Sequence, residues 1–388
     1  MQKYLVVFGT RPEAIKMAPV LRALEDEAEA FPVACCTGQH QELLEPILSL
    51  FHIRPKYNLR VMSVDQQLST LTSLLLTQLE KVFALEKPDR VLVQGDTTTA
   101  MVAAMAASYA KIPVGHVEAG VRSHNPLEPF PEEMNRKIID VISDLFFAPT
   151  TVESNDLLRE GISPERIYVT GNTAIDALRR VSALPFSTEG TVLEKIPLRG
   201  KRIILATTHR RENHGLPLKS ICQALEEIAV TYRDTAHIVI PVHPNPNVHA
   251  VVHGCLGRVP NITLTAPLPY PELIALANVA YFALTDSGGL QEELTWLGKP
   301  ALVLRNVTDR QAAVDAGAAF LVGVEPEIIV AAAKELMENR ALYNRMAQSR
   351  DLYGDGRASE RIVQILQFHH RASSKFGMAA PASLRPAA

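Results

Sequence analysis

A chain of 388 residues, 47% of them hydrophobic, is too long for one ordinary core and suits two α/β domains. A formal net charge of −3 gives no electrostatic basis for binding nucleic acid or an anionic membrane. The cysteines Cys35, Cys36, Cys222 and Cys255 fit neither a disulfide framework nor a metal-ligand spacing, and read as small buried hydrophobes in a reducing compartment.

The N-terminus runs straight into an apolar stretch at 4–8, with no basic start and no cleavage site, so a cytoplasmic location is expected. Short apolar runs at 5–8, 33–37, 90–93, 114–117 and 145–148 read as buried strands, and amphipathic stretches such as 17–27 and 68–85 separate them. The longest apolar run, 100–110, is too short to span a bilayer and reads as a buried helix. Residues 185–200, polar and punctuated by Pro and Gly, read as a linker. A second series of strands is expected at 203–207, 237–241, 262–264, 281–285 and 301–304. This rhythm predicts parallel, doubly wound sheets in two Rossmann-like domains, 1–180 and 200–355, facing across a cleft. A helix over 356–370 is expected to cross back onto the first domain, and the Ala-, Ser- and Pro-rich tail 371–388 to lack order.

Ligands of such sheets bind beyond the carboxyl ends of the strands. After the first strand, GTRPEAIKMAP at 9–19 opens a helix with Arg11 and Lys16 near its N-terminus. Backbone N–H groups and two cations there suit a diphosphate, Arg11 as a fork and Lys16 as a point charge. Taken alone, the same residues also fit a plain turn with two solvated cations. QGDTTT at 94–99, GHVEAG at 115–120 and PFPEEMNR at 129–136 bring Asp96, Glu118 and Glu132 to one rim of one sheet. Three converging carboxylates are costly unless they hold a cation or move protons. Singly, each also fits a helix cap or a surface acid, Glu132 or Glu133 best.

The second domain supplies THRREN at 208–213, PVHPNPNV at 241–248 and TDSGGLQEE at 285–293. Amides of Ser287, Gly288 and Gly289 could face phosphate, with Glu293 placed for the two ribose hydroxyls. His209, Arg210 and Arg211 add donors, and His243 by itself reads as a satisfied loop histidine.

Together with VTGNTAIDAL at 169–178, LGKP at 297–300 and YGDG at 353–356, these motifs resemble, in order and over nearly the whole chain, the non-hydrolysing UDP-N-acetylglucosamine 2-epimerases. The resemblance implies a GT-B-like fold, a homodimer, no NAD or metal cofactor, and inversion of carbon 2 of UDP-GlcNAc. It implies that Arg11, Lys16, His209, Ser287, Gly288, Gly289, Glu293 and Arg310 hold UDP and that Leu268 and Leu273 stand at the uracil pocket. Asp96, Glu118 and Glu132, with His209, would be catalytic. Gln39, His40, Arg210 and His243 match positions of an activator site for a second UDP-GlcNAc. The sequence departs from the family pattern at Leu304–Ala312, where Arg310 survives without its usual neighbours, at 267–273 around Tyr270, and at Asp65, which replaces an activator-site arginine.

Carbon 2 of the sugar is not next to a carbonyl, so its proton is not acidic in the ground state. Departure of UDP first makes carbon 1 positive and acidifies that C–H, giving a glycal to which proton and UDP re-add. Three rivals share these motifs in part: a GT-B glycosyltransferase, an epimerase that releases free sugar or acts on a modified UDP-amino sugar, and a UDP-sugar-binding regulator without activity.

Overall fold

The central strands are buried on both faces, which is why they read as unbroken apolar runs: Leu5, Val6, Val7 and Phe8 are all wholly buried. The structure, a computed structural model, describes residues 1–38, 41–63, 66–198 and 200–374. Gln39, His40, Asp65 and the tail from 375 lie outside the described residues.

The first unit comprises residues 1–179 together with the chain from Tyr353. Its strands are β1 (Gln2–Phe8), β2 (Ala30–Cys36), β3 (Tyr57–Asn58), β4 (Arg90–Gln94), β5 (Val114–Val117), β6 (Leu145–Ala148) and β7 (Ile167–Val169). They form one parallel sheet in the order β3-β2-β1-β4-β5-β6-β7. The chain winds outward from β1 in one direction and then, from β4, in the other. The helix Thr98–Tyr109 is apolar on nearly every side and is packed into the core with the helix Leu68–Glu86.

The second unit, Arg180–Leu352, repeats the plan. Its strands β8 (Arg202–Thr207), β9 (Ala236–Pro241), β10 (Ile262–Thr265), β11 (Ala280–Thr285), β12 (Ala301–Val303) and β13 (Ala319–Leu321) lie parallel in the order β10-β9-β8-β11-β12-β13. The winding reverses between β8 and β11 as it does between β1 and β4.

The structure departs from the sequence reading in three places. β3, β7 and β13 were not expected, because two or three residues carry no measurable periodicity. The stretch read as a linker holds a 3-10 turn, Val192–Lys195, and buries Leu193 and Ile196. Cys255 is exposed, unlike the other three cysteines. No helix among the described residues is long and apolar enough to cross a membrane.

The helix Ala358–Ser374 belongs to the first unit and begins on a carboxylate from another helix. Asp176 accepts from the Ala358 amide at 3.1 Å, the Ser359 amide at 2.7 Å and the Ser359 hydroxyl at 2.6 Å. It acts as the N-cap that the local sequence lacks. Burial pushes the Asp176 carboxyl up despite these bonds. Asp176→Ala is expected to lower stability by about 2 kcal/mol, from the lost cap and the donors left unpaired. Urea unfolding followed by circular dichroism checks this, and an unchanged midpoint would mean that other contacts hold the helix.

Candidate active site

The turn after β1 is shaped from below. A methyl group on Gly9 would lie 2.2 Å from Thr37 Oγ1 and 2.6 Å from Thr99 Oγ1, and both threonines are wholly buried. Close packing thus dictates glycine there. Glu13 closes the turn: one oxygen accepts the Gly9 amide at 3.0 Å and the Thr10 amide at 2.7 Å, and the other accepts the Thr97 hydroxyl at 2.7 Å. Burial raises the Glu13 carboxyl. Arg11, the first residue of the helix Arg11–Glu25, is half-buried and has no hydrogen bond or ion pair among the described residues.

Gln94 and Val117 are register partners, so the carboxyl ends of β4 and β5 are level. The residues that follow include Asp96 and Glu118. Glu118 adopts a left-handed backbone conformation, φ 65°, which a non-glycine residue enters only at a cost of roughly 1–3 kcal/mol. Its amide is held by Phe147 O at 3.0 Å. One of its carboxylate oxygens takes both Lys16 Nζ and Gln94 Nε2, each at 2.5 Å. Lys16, expected at a diphosphate, therefore sits on a candidate catalytic acid.

Asp96 is gripped by the helix Glu132–Ile142. Asn135 Nδ2 donates to its carbonyl at 2.9 Å, and Arg136 Nη2 pairs with its carboxylate. Glu132, at the start of that helix, is half-buried with no hydrogen bond or ion pair among the described residues. The peptide before Asp96 is fixed as well: Gly95 O faces His116 Nε2 at 2.8 Å, and His116 Nδ1 meets Asp140 at 2.5 Å. Asp140 also takes Arg122 at 2.7 Å, which reaches on to Glu160. Burial would raise the Asp140 carboxyl, but His116 and Arg122 outweigh it and hold it low.

In the second unit the wholly buried Asp286 organises the loop after β8. It accepts from the Thr208 hydroxyl, the His209 amide and the Arg210 amide, each at 3.0 Å, and from Asn213 Nδ2 at 2.9 Å. His209 Nδ1 lies 3.1 Å away. Burial would push this carboxyl up; the donors and the His209 ring beside it reverse that and hold it far below the usual range. His209 thus has one ring nitrogen anchored, and the ring stacks on exposed His243 with centroids 5.8 Å apart.

Ser287 caps the helix Gly288–Trp296, accepting the Leu290 amide at 3.4 Å. A methyl group on Gly288 would come within 3.6 Å of Arg210 Nη2, 3.6 Å of Asp309 Oδ1 and 3.8 Å of the Arg310 guanidinium, so two cations and the carboxylate that pairs with Arg310 flank this N-terminus. At Gly289 it would meet no atom of the described residues within 4 Å, so packing against them does not dictate glycine there. Arg310 is held by Glu292 at 2.5 Å and Asp309 at 3.0 Å. Burial would raise the Asp309 carboxyl, but Arg310, Arg210 and Arg305 bring it down to about 2. Glu293 accepts the buried Tyr270 hydroxyl at 2.9 Å, and burial together with that carboxylate holds the phenol well above its usual range. Leu268 is buried and Leu273 half-buried.

Sequence reasoning singled out Asp96, Glu118, Glu132, His209 and the SGG turn, but passed over Asp286, His116, Arg136, Asp140 and Arg122. Three of these stand inside the motifs TDSGG, GHVEAG and PFPEE-x-NR; a polar residue within an otherwise tight turn motif was the available signal. Asp286→Asn exchanges an acceptor for an amide among donors and is expected to cost about 3 kcal/mol at neutral pH. The folded carboxyl lies below its unfolded value of about 3.9, so its contribution is complete above that value and is lost as pH falls through the folded one. The wild-type advantage in urea unfolding should hold from pH 7 to about 5 and shrink below about 4. An advantage that stays constant at acid pH would contradict this role.

Residues 22–367 match the family model for UDP-N-acetylglucosamine 2-epimerase. The chain is 45% identical over 370 residues to the UDP-N-acetylglucosamine 2-epimerase of Salmonella typhimurium, covering 94% of this chain and 98% of the relative. Among solved structures, the UDP-GlcNAc 2-epimerase from Neisseria meningitidis bound to UDP-GlcNAc aligns with a TM-score of 0.88 and 43% identity, over 95% of this chain and all 100% of that one. The Methanocaldococcus jannaschii UDP-GlcNAc 2-epimerase in complex with UDP-GlcNAc and UDP aligns with a TM-score of 0.80 and 35% identity, over 95% of this chain and 100% of that one. The two parallel sheets with flanking helices are the GT-B-like α/β fold of such structures.

Proposed function

The chain belongs to the UDP-N-acetylglucosamine 2-epimerase family, and from that premise we propose that it interconverts UDP-N-acetylglucosamine and UDP-N-acetylmannosamine by eliminating and re-adding UDP. It is an isomerase. The observation that carries the mechanism is the pair of acids Asp96 and Glu118 at the level ends of neighbouring strands, each held by a cation.

The reaction divides into two demands. The leaving diphosphate needs positive charge and amide donors. The second unit offers the N-terminus at Ser287, Gly288 and Gly289, flanked by Arg210 and Arg310, with His209 anchored on Asp286. The first unit offers Arg11, which has no hydrogen bond or ion pair among the described residues. Glu293 is assigned to the ribose hydroxyls, with Tyr270 fixing its orientation, and Leu268 and Leu273 to the base. A glycine at 289 that packing among the described residues does not require fits close approach by a ligand.

The second demand is proton exchange at carbon 2 from opposite faces, which one base alone does not meet. Asp96, Glu118 and Glu132 are assigned to it. Lys16, bonded to Glu118, stabilises that acid as a carboxylate until substrate charge competes for the lysine. Exclusion of water protects the glycal. The homodimer is proposed as well, together with an activator site for UDP-GlcNAc drawing on Gln39, His40, Arg210 and His243.

Incubation with UDP-GlcNAc in heavy water, with no acceptor, tests this reading. Deuterium at carbon 2 and formation of UDP-ManNAc are expected. UDP with free sugar would point to hydrolysis, and inertness until an acceptor is added would point to glycosyl transfer. Asp96→Asn and Glu118→Gln should each lower kcat by about 10²–10⁴-fold while UDP affinity by calorimetry stays within a few-fold. Near wild-type turnover in either variant would remove that residue from the mechanism.

A further inference from the structure

Two unpaired buried atoms belong to residues already in contact. Glu133 is wholly buried; its Oε2 accepts the Ser123 amide at 2.9 Å and Arg136 Nη1 at 3.1 Å, while its Oε1 has no hydrogen-bond partner among the described residues. Arg136 Nε has none either. The guanidinium is split: Nη1 is on Glu133 and Nη2 is on the Asp96 carboxylate. A buried acceptor left unpaired is destabilising, and more so when it is charged. The two terminal nitrogens of a guanidinium match the two oxygens of one carboxylate. If Nη2 moved from Asp96 to Glu133 Oε1, the pair would become a fork and the unpaired oxygen would be satisfied.

We infer that Glu133 and Arg136 form a charge-sharing clamp on Asp96, in which Glu133 holds part of the guanidinium and receives all of it when Asp96 gains a proton. This rests on the assignment of Asp96 to proton exchange at carbon 2. The reason for the clamp is electrostatic. A guanidinium given wholly to Asp96 would oppose its protonation, while an Arg136 without Glu133 would be left uncompensated once Asp96 is neutral. Glu133, one turn earlier on the same helix, resolves both. Asn135, between them, holds the Asp96 backbone in place while the guanidinium moves. Glu133 and Arg136 are positioning residues: neither needs to touch the sugar.

The test uses the full chain in heavy water. Glu133→Gln keeps the shape and the Ser123 contact and removes the charge, so Arg136 stays on Asp96. Expected are a kcat for carbon-2 exchange about tenfold lower, a KM within twofold of wild type, and, with carbon-2-deuterated substrate, a larger kinetic isotope effect on the rate of UDP-ManNAc formation, because proton transfer has become slower. Arg136→Gln added to Glu133→Gln removes the uncompensated cation and should restore part of that loss, a non-additivity that a purely structural contact would not produce. The inference is overturned if Glu133→Gln exchanges within twofold of wild type with the same isotope effect. It is overturned equally if the loss tracks a lower melting temperature and weaker UDP binding, or if the double variant is slower than the single one. A wild-type chain that incorporates no deuterium would instead overturn the epimerase reading itself.

Discussion

In a parallel, doubly wound sheet the chain must somewhere stop winding one way and begin winding the other. At that point the loops leaving two neighbouring strands diverge to opposite faces, and the strand ends between them stay uncovered. Each unit of this protein has one such point, between β1 and β4 and between β8 and β11. Arg11 follows β1 and Asp96 follows β4; His209 follows β8, and Asp286 with Ser287 follows β11. Part of the polar set proposed for the reaction, Arg11, Asp96, His209 and Ser287, is placed by this reversal. The hydrophobic remainder of each sheet exists, in this sense, to hold those ends apart and level.

Placing ionic groups at the end of a buried strand has a cost, and the molecule meets it by pairing. Glu118 is compensated by Lys16, Asp96 by Arg136, Asp286 by backbone amides and His209, and Arg310 by Glu292 and Asp309. Ion pairs of this kind add little net stability once desolvation is counted. What they secure is orientation. Glu118 is the clearest case: it occupies a backbone conformation unfavourable for its type, and its side chain is pinned from two sides. Strain tolerated at such a residue accords with a geometric task there. Gly9 shows the same economy in apolar terms, since two buried hydroxyl-bearing side chains leave no room for a methyl group.

How much was legible in advance follows from the length scale of each signal. Long buried strands announce themselves as apolar runs, so the expected runs at 5–8, 33–37 and 90–93 correspond to β1, β2 and β4. β3, with two residues, carries no period to read. Motif position revealed that Asp96 and Glu118 belong to one rim, because each directly follows a strand. It could not reveal partners, which depend on register and on helix rotation: that Lys16 meets Glu118 across 102 positions of sequence is a tertiary fact. Asp286 was passed over because an aspartate before Ser-Gly-Gly looks like turn chemistry, yet its carboxylate faces inward and holds the loop 208–213. Residues 185–200 read as a linker from their Pro and Gly, while Leu193 and Ile196 within it were enough to bury part of the segment.

The two units share one winding and differ in what they carry at its reversal. The first is rich in acids held by cations; the second is rich in cations and amides held by acids. A reaction that expels a diphosphate and then moves a proton calls for both environments, and they conflict electrostatically. Carboxylates crowded beside a diphosphate would repel it, and free cations beside a base would oppose its protonation. Assigning each set to its own sheet lets each be built with its own counter-charges. Asp140, Arg122 and Glu160 stand behind the Gly95 carbonyl, and Asp309 and Glu292 stand behind Arg310, so the peptide before Asp96 and the guanidinium of Arg310 are each held by charged neighbours.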